Sequence, residues 1–305
     1  MNSRIINWVL FIVLCVIWGS SFILMKWGLY DANQQPVLSP YQVAALRMLS
    51  SGLVMLPFLF TSLKGLPQKT IIRVLASGWL GSFFPAFLFC IAETKIDGAL
   101  TGSLNSLTPI FVIITGSLFF QIKTNSKKIL GVVVGLIGSG FLLYANLTKP
   151  PGYLAYTGFV ILATVLYGFN VNMVHRKLSG VSSVQIATIA FTGLIPPSLI
   201  VLSFSGYFNL PLAESTFVLS TIASCILGIF GTALASVLFY VLVKRAGGLF
   251  ASLVTYGIPF IAILWGVYYR EKVTVLQVIG LCIILLGVYL ANRSEKKKAT
   301  LADVA

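Results

Sequence analysis

Acid and histidine are the scarcest chemistry in this chain: 305 residues hold seven Asp and Glu together and one His. A single histidine excludes an H-E-x-x-H zinc site, and no Ser-His or paired-Asp arrangement lies at matching depth for catalysis. The four cysteines, Cys15, Cys90, Cys225 and Cys282, fall in separate apolar runs without paired ligand spacing. They read as reduced core residues rather than metal ligands or disulfides. No metal, no cofactor and no enzymatic activity are expected. Charged residues make up 9% of the chain against 58% hydrophobic ones, too little to cover a water-facing surface, so a soluble domain is excluded. The net charge of +14 is not a nucleic-acid footprint, because the Lys and Arg sit almost entirely in loops and tails, where cations orient membrane spans.

What the chain has instead is a succession of apolar stretches of about 20 residues, the length that crosses a bilayer. They lie near 8–27, 41–61, 74–92, 98–120, 129–144, 153–174, 184–203, 217–243, 247–268 and 273–291. The expected fold is an all-α integral membrane protein of ten transmembrane helices. Arg4 gives the first stretch a basic flank like that of a signal peptide, but the apolar run is too long and no A-x-A site follows. With the N-terminus inside, cytoplasmic segments carry fifteen Lys and Arg and the opposite side carries five, so both termini are expected in the cytoplasm.

The two halves echo each other at an offset of about 149 residues. Trp18-Gly19 matches Tyr167-Gly168, Lys26 matches His175, Lys95 matches Lys244, Gly131 matches Gly280, Gly138 matches Gly287, and Pro109 matches Pro259. Gly81 pairs with Gly228 at a slightly different offset. A series of pairs in one order argues for an internal repeat. Five spans per half means two inverted five-helix repeats, 1–148 and 149–292, followed by a cytoplasmic polar tail, 293–305. Pro109 and Pro259 each remove a backbone donor from an apolar helix, and paired broken helices in corresponding halves mark the central site of a carrier. Gly98-x-x-x-Gly102 and Gly131-x-x-x-Gly135, with Gly138 and Gly140, give small faces for close helix packing. Packing within the monomer is the plainer use of them, and a homodimer face on the fifth span the sharper one.

Trp18-Gly-Ser-Ser-Phe22, Arg47 early in the second span, a proline in the fourth and ninth spans, and Arg270-Glu271-Lys272 before a Gly-rich last span resemble the EamA-like branch of the drug/metabolite transporter superfamily. The resemblance covers nearly the whole chain. It implies a carrier with a central cavity between two five-helix halves, moving amino acids, other small metabolites or drugs, usually outward. It also implies an inner (cytoplasmic) bacterial membrane. Where Glu271 closes the ninth span, the matching end of the fourth reads Gln121-Ile122, without the acid.

Candidate substrate-binding residues follow from depth and spacing. Trp18 and Tyr167 fall near the middle of their spans, and Ser21 and Asn170 follow one helical turn later on the same faces. Asn105 and Thr108 precede Pro109, while Thr255 and Tyr256 precede Pro259, the two expected helix breaks. Aromatic, hydroxyl and amide groups around opened backbone suit a neutral or zwitterionic organic solute better than a metal ion. Singly, each is explained by an interhelical contact worth about 0.6 kcal/mol. Phe83 and Phe87 are candidates for apolar lining, or equally for core or lipid contact. Arg47 is the cation well inside a span, and a charge there needs a partner, water or a route to the interface. Pairing with Glu93 or Asp97 is the structural reading, and recognition of a substrate carboxylate the functional one. Lys26 and His175 fit solvated flanks, with a proton relay through His175 the lesser reading. The expected function is a secondary transporter, exporting or exchanging a small organic solute by alternating access. A lipid flippase or scramblase, using the same cavity opened to lipid, is the alternative.

Overall fold

The computed structural model describes residues 3–123, 125–144, 152–269 and 274–302, and among these the fold is helical, with one isolated bridge between Tyr30 and Pro36. In chain order the helices are α1 (Ile5–Leu29), α2 (Pro40–Leu63), α3 (Gln68–Ala92), α4 (Gly98–Phe119), α5 (Ser126–Tyr144), α6 (Gly152–Lys177), α7 (Ser183–Phe204), α8 (Ser215–Ala246), α9 (Phe250–Tyr268) and α10 (Val275–Ala302). Eight are long and apolar enough to cross a membrane, while α5 and α10 carry shorter apolar stretches, Ile129–Gly138 and Val278–Gly287. Helix is what these sequences must form, since lipid offers no partner to a backbone N–H or C=O. α3 starts at Gln68, six residues ahead of the expected Val74, because Lys69 and Arg73 sit on the polar side of an amphipathic first stretch. α10 runs on to Ala302, through most of the expected tail. Arg270, Glu271 and Lys272 lie outside the described residues.

Packing crosses the expected division between 1–148 and 149–292. α1 lies against α8 and α9, and α6 lies against α3 and α4, so each half lends its first helix to the other. Likewise α2 packs on α8 and α7 on α3, while α5 and α10, α4 and α9, and α2 and α7 pair directly. Every one of these contacts has a counterpart five helices further on. The α5–α10 contact is reciprocal in detail. A Cβ on Gly138 would meet the Ile284 nitrogen at 2.7 Å and the Gly280 carbonyl at 2.8 Å. One on Gly287 would meet the Gly135 nitrogen at 2.5 Å and the Gly131 carbonyl at 2.7 Å. The small face of α5 is thus taken up by α10 within the chain, backbone against backbone.

A second reciprocal device joins α2 to α7. Each begins with a capping box, Ser39 with Gln42 and Ser182 with Gln185, in which serine and glutamine satisfy each other's backbone N–H. The glutamine amide nitrogens are left to donate elsewhere. Gln42 Nε2 donates to the Ser205 carbonyl at 2.9 Å, and Gln185 Nε2 to the Ser62 carbonyl at 3.2 Å. Each start therefore satisfies a carbonyl at the end of its antiparallel neighbour, where helices leave carbonyls without internal partners. Gln42→Ala should lower stability by about 1–3 kcal/mol by stranding the Ser205 carbonyl, and Gln185→Ala by less, since Gln185 is half-buried. Thermal unfolding of the two variants in one detergent checks the order.

Candidate functional site

The prolines do not open their helices in the same way. In α4 the helix is interrupted by a turn at Ser106 and Leu107, and Pro109 is the second residue of the stretch that follows, Thr108–Phe119. The Asn105 carbonyl, which the Pro109 nitrogen cannot serve, accepts from Thr108 Oγ1 at 2.8 Å. In α9 the turn comes at Leu253, and Pro259 lies inside the helix Val254–Tyr268, which corrects the expectation of a break at that proline. The turn is set at the start of α9, just after the Gly247 bend with its φ of +86°, and Pro259 merely leaves a donor missing further on.

Two further irregularities escaped the sequence reading. Trp79–Phe83 in α3 and Ile229–Leu234 in α8 are π-helical, a widened turn that occurs often at functional sites. Their glycines, Gly81 and Gly231, lie 150 residues apart, so Gly231 rather than Gly228 is the structural partner of Gly81. The signal was available: Gly81-Ser82 and Gly231-Thr232 keep the same offset as the two prolines.

These interruptions meet around one partly open cavity, walled by α1, α2, α3, α4, α6, α8 and α9. Of its 21 lining residues, sixteen fall into eight pairs 149 or 150 apart. α1 and α6 give Trp18 with Tyr167, Ser21 with Asn170 and Phe22 with Val171. α3 and α8 give Gly81 with Gly231, Ser82 with Thr232 and Phe89 with Phe239. α4 and α9 give Asn105 with Thr255 and Thr108 with Ile258. Contacts across the wall repeat too. Trp18 packs on Phe239 with ring centroids 5.1 Å apart, and Tyr167 stacks on Phe89 at 6.0 Å. Gly231 approaches Ser21, and Gly81 approaches Asn170 so closely that an added Cβ would collide with the side-chain amide. Trp18 Nε1 also donates to the Gly231 carbonyl at 3.0 Å, where its counterpart Tyr167 carries no ring N–H.

Seven of the eight expected substrate-binding residues therefore share one wall: Trp18, Ser21, Asn105, Thr108, Tyr167, Asn170 and Thr255. Tyr256 does not. It sits about 100° around α9 from Thr255 and buries its hydroxyl elsewhere, so the pairing expected before Pro259 is corrected to Thr255 alone. Phe83 and Phe87 pack on each other at 4.8 Å, away from the lining, and Phe89 takes the wall position on α3. Arg47 lines the cavity and its Nε donates to Thr232 Oγ1 at 2.6 Å. Glu93 is 1% exposed at the end of α3 and is not part of the lining, and exposed His175 and half-buried Lys26 lie off it too. Among the described residues no group of His, Cys, Asp or Glu could hold a metal ion. The arrangement can enclose an organic molecule between aromatic faces and offer it hydroxyls, amides and one guanidinium.

The tight approach of Gly81 to Asn170 makes a test. Gly81→Ala should cost about 1–3 kcal/mol by overpacking, and much of that loss should vanish in the Asn170→Ala background. A double-mutant cycle by thermal unfolding reads the coupling.

Comparison with known proteins extends these observations. A family model described as the EamA-like transporter family matches residues 6–144 and again 155–293, the second match displaced by 149 residues from the first at both ends. An uncharacterized transporter of Archaeoglobus fulgidus is 25% identical over 299 residues, covering 95% of this chain and 99% of that one. A probable amino-acid metabolite efflux pump of Salmonella typhimurium is 25% identical over 167 residues, 54% of this chain and 52% of its own length. A crystal structure superposes with a TM-score of 0.65 at 16% identity, covering 97% of this chain and 98% of the other, which establishes likeness of fold.

Proposed function

The chain belongs to the EamA-like transporter family, and on that premise we propose that it is a secondary transporter that exports or exchanges a small organic solute by alternating access. The observation that carries this is the paired cavity wall: eight pairs of lining residues from helices related by one offset surround a single central space. Inverted repeats supply two related conformations by exchanging their roles. The eight long helices, the two shorter apolar ones and the doubled family match support ten spans in two inverted repeats, and the excess of Lys and Arg on one side supports both termini in the cytoplasm.

In this reading the rocking units are not the two sequence halves. α3 and α4 move with α6, and α8 and α9 move with α1, because those are the helices packed together. α2 and α7, tied by a glutamine near each end, form the seam along which the units rock. The π segments sit where each unit faces the cavity, Gly231 beside Trp18 in one unit and Gly81 beside Asn170 in the other, so each widened turn moves with the helix it is packed on. Trp18, Ser21, Asn105, Thr108, Tyr167, Asn170 and Thr255 contact the solute in turn from each side. Amino acids and their metabolites are among the solutes to try, since two relatives are named as probable amino-acid metabolite efflux pumps.

The test is efflux from proteoliposomes loaded with a mixed extract of cell metabolites, read by mass spectrometry against protein-free vesicles. Selective loss of a few compounds, reduced at least about tenfold by Asn105→Ala with Asn170→Ala in protein that still folds, is the expected result. Scrambling of fluorescent lipids without loss of any soluble compound would replace the carrier with a lipid flippase.

A further inference from the structure

Arg47 breaks the pairing of the cavity wall. The positions 149 and 150 residues further on are Pro196 and Pro197, so the related place holds no charge. Among the described lining residues Arg47 carries the only formal charge, and no Asp or Glu faces the cavity. Its recorded hydrogen bond is to a hydroxyl, Thr232 Oγ1, which orients the guanidinium without neutralising it. Neither Glu93 nor Asp97, the acids expected to pair with it, is part of the lining.

A guanidinium facing a low-dielectric cavity favours any anion that enters, because little water screens the attraction. A zwitterion brings an ammonium for which the wall offers no carboxylate, and a cation meets only repulsion. Elsewhere the wall mixes neutral hydroxyl and amide groups with the flat apolar rings of Trp18, Phe89 and Phe239. We propose that the cavity selects an organic monoanion, its carboxylate or equivalent acid group held at Arg47 and its apolar body against these rings, and that it rejects organic cations of the same shape. The inference rests on the carrier reading and names the charge class of its solute.

Four compounds of one shape test it on the purified full-length protein: 3-phenylpropionate, phenylalanine, 3-phenylpropan-1-ol and 3-phenylpropylamine. Binding is read from the shift in thermal unfolding with concentration at fixed ionic strength. The expected order puts the anion first, at least about tenfold tighter than the amine. Arg47→Gln should collapse the ratio of anion to alcohol, and Arg47→Lys should keep its direction. If Arg47→Gln does not fold, the wild-type order and the lysine variant decide. An amine that binds as tightly as the anion, a preference that survives Arg47→Gln, or no binding by any of the four overturns the proposal. Selective efflux of metabolites combined with tight amine binding sinks the charge selection alone. Anion binding in the expected order without efflux of any compound sinks the carrier and leaves the recognition standing.

Discussion

A bilayer gives no partner to a backbone N–H or C=O, and the structure depends on how this chain meets that constraint where its helices open. An uninterrupted helix satisfies itself, so every turn, π segment or helix end inside the apolar zone must be answered by another part of the protein. The Asn105 carbonyl is answered by Thr108, the Gly231 carbonyl by Trp18, and the Ser62 and Ser205 carbonyls by Gln185 and Gln42. Three of these four answers come from a different helix. The interruptions therefore do two things at once: they open space, and they tie together the helices that surround it.

Repetition governs the arrangement, and departures from it carry the chemistry. Interhelix contacts recur five helices on, down to glycine backbones in α5 and α10 and the aromatic pairs Trp18 with Phe239 and Tyr167 with Phe89. A symmetric wall has no preferred end for a solute. Ser21 donates within its own helix to Ile17, whereas its counterpart Asn170 is pressed against Gly81 with its Oδ1 buried and lacking a hydrogen-bond partner. Arg47 adds a charge on one side only. These differences make the two sides of the cavity chemically unlike.

Much of the site was legible because a membrane restricts what a sequence can mean. Depth in a span fixed the level of Trp18 and Tyr167, and one helical turn carried the argument to Ser21 and Asn170. What failed was direction around the axis. Tyr256 is one residue from Thr255 yet faces away, and Phe83 and Phe87 pack together while Phe89 reaches the wall. Rotation of an apolar helix is set by its neighbours, and apolar periodicity is nearly silent when lipid and core are both apolar. The π segments were hidden for a related reason: a widened turn depends on contacts from α1 and α6, and Gly-Ser or Gly-Thr in an apolar run fits ordinary helix equally well.

By itself the sequence determined the class of protein, the order and approximate ends of the helices, the offset of the repeat and the depth of most polar residues, because hydrophobic length and charge placement are local properties. Only the tertiary structure decided which helices stand together, that α1 and α6 change sides, that Leu253 rather than Pro259 turns α9, and that Arg47 bonds a hydroxyl on α8 instead of an acid. Those outcomes come from contacts between segments distant in sequence, from Asn172 with Val112 in α6 and α4 to Cys15 with Val254 in α1 and α9, whose strength depends on how closely two backbones can approach.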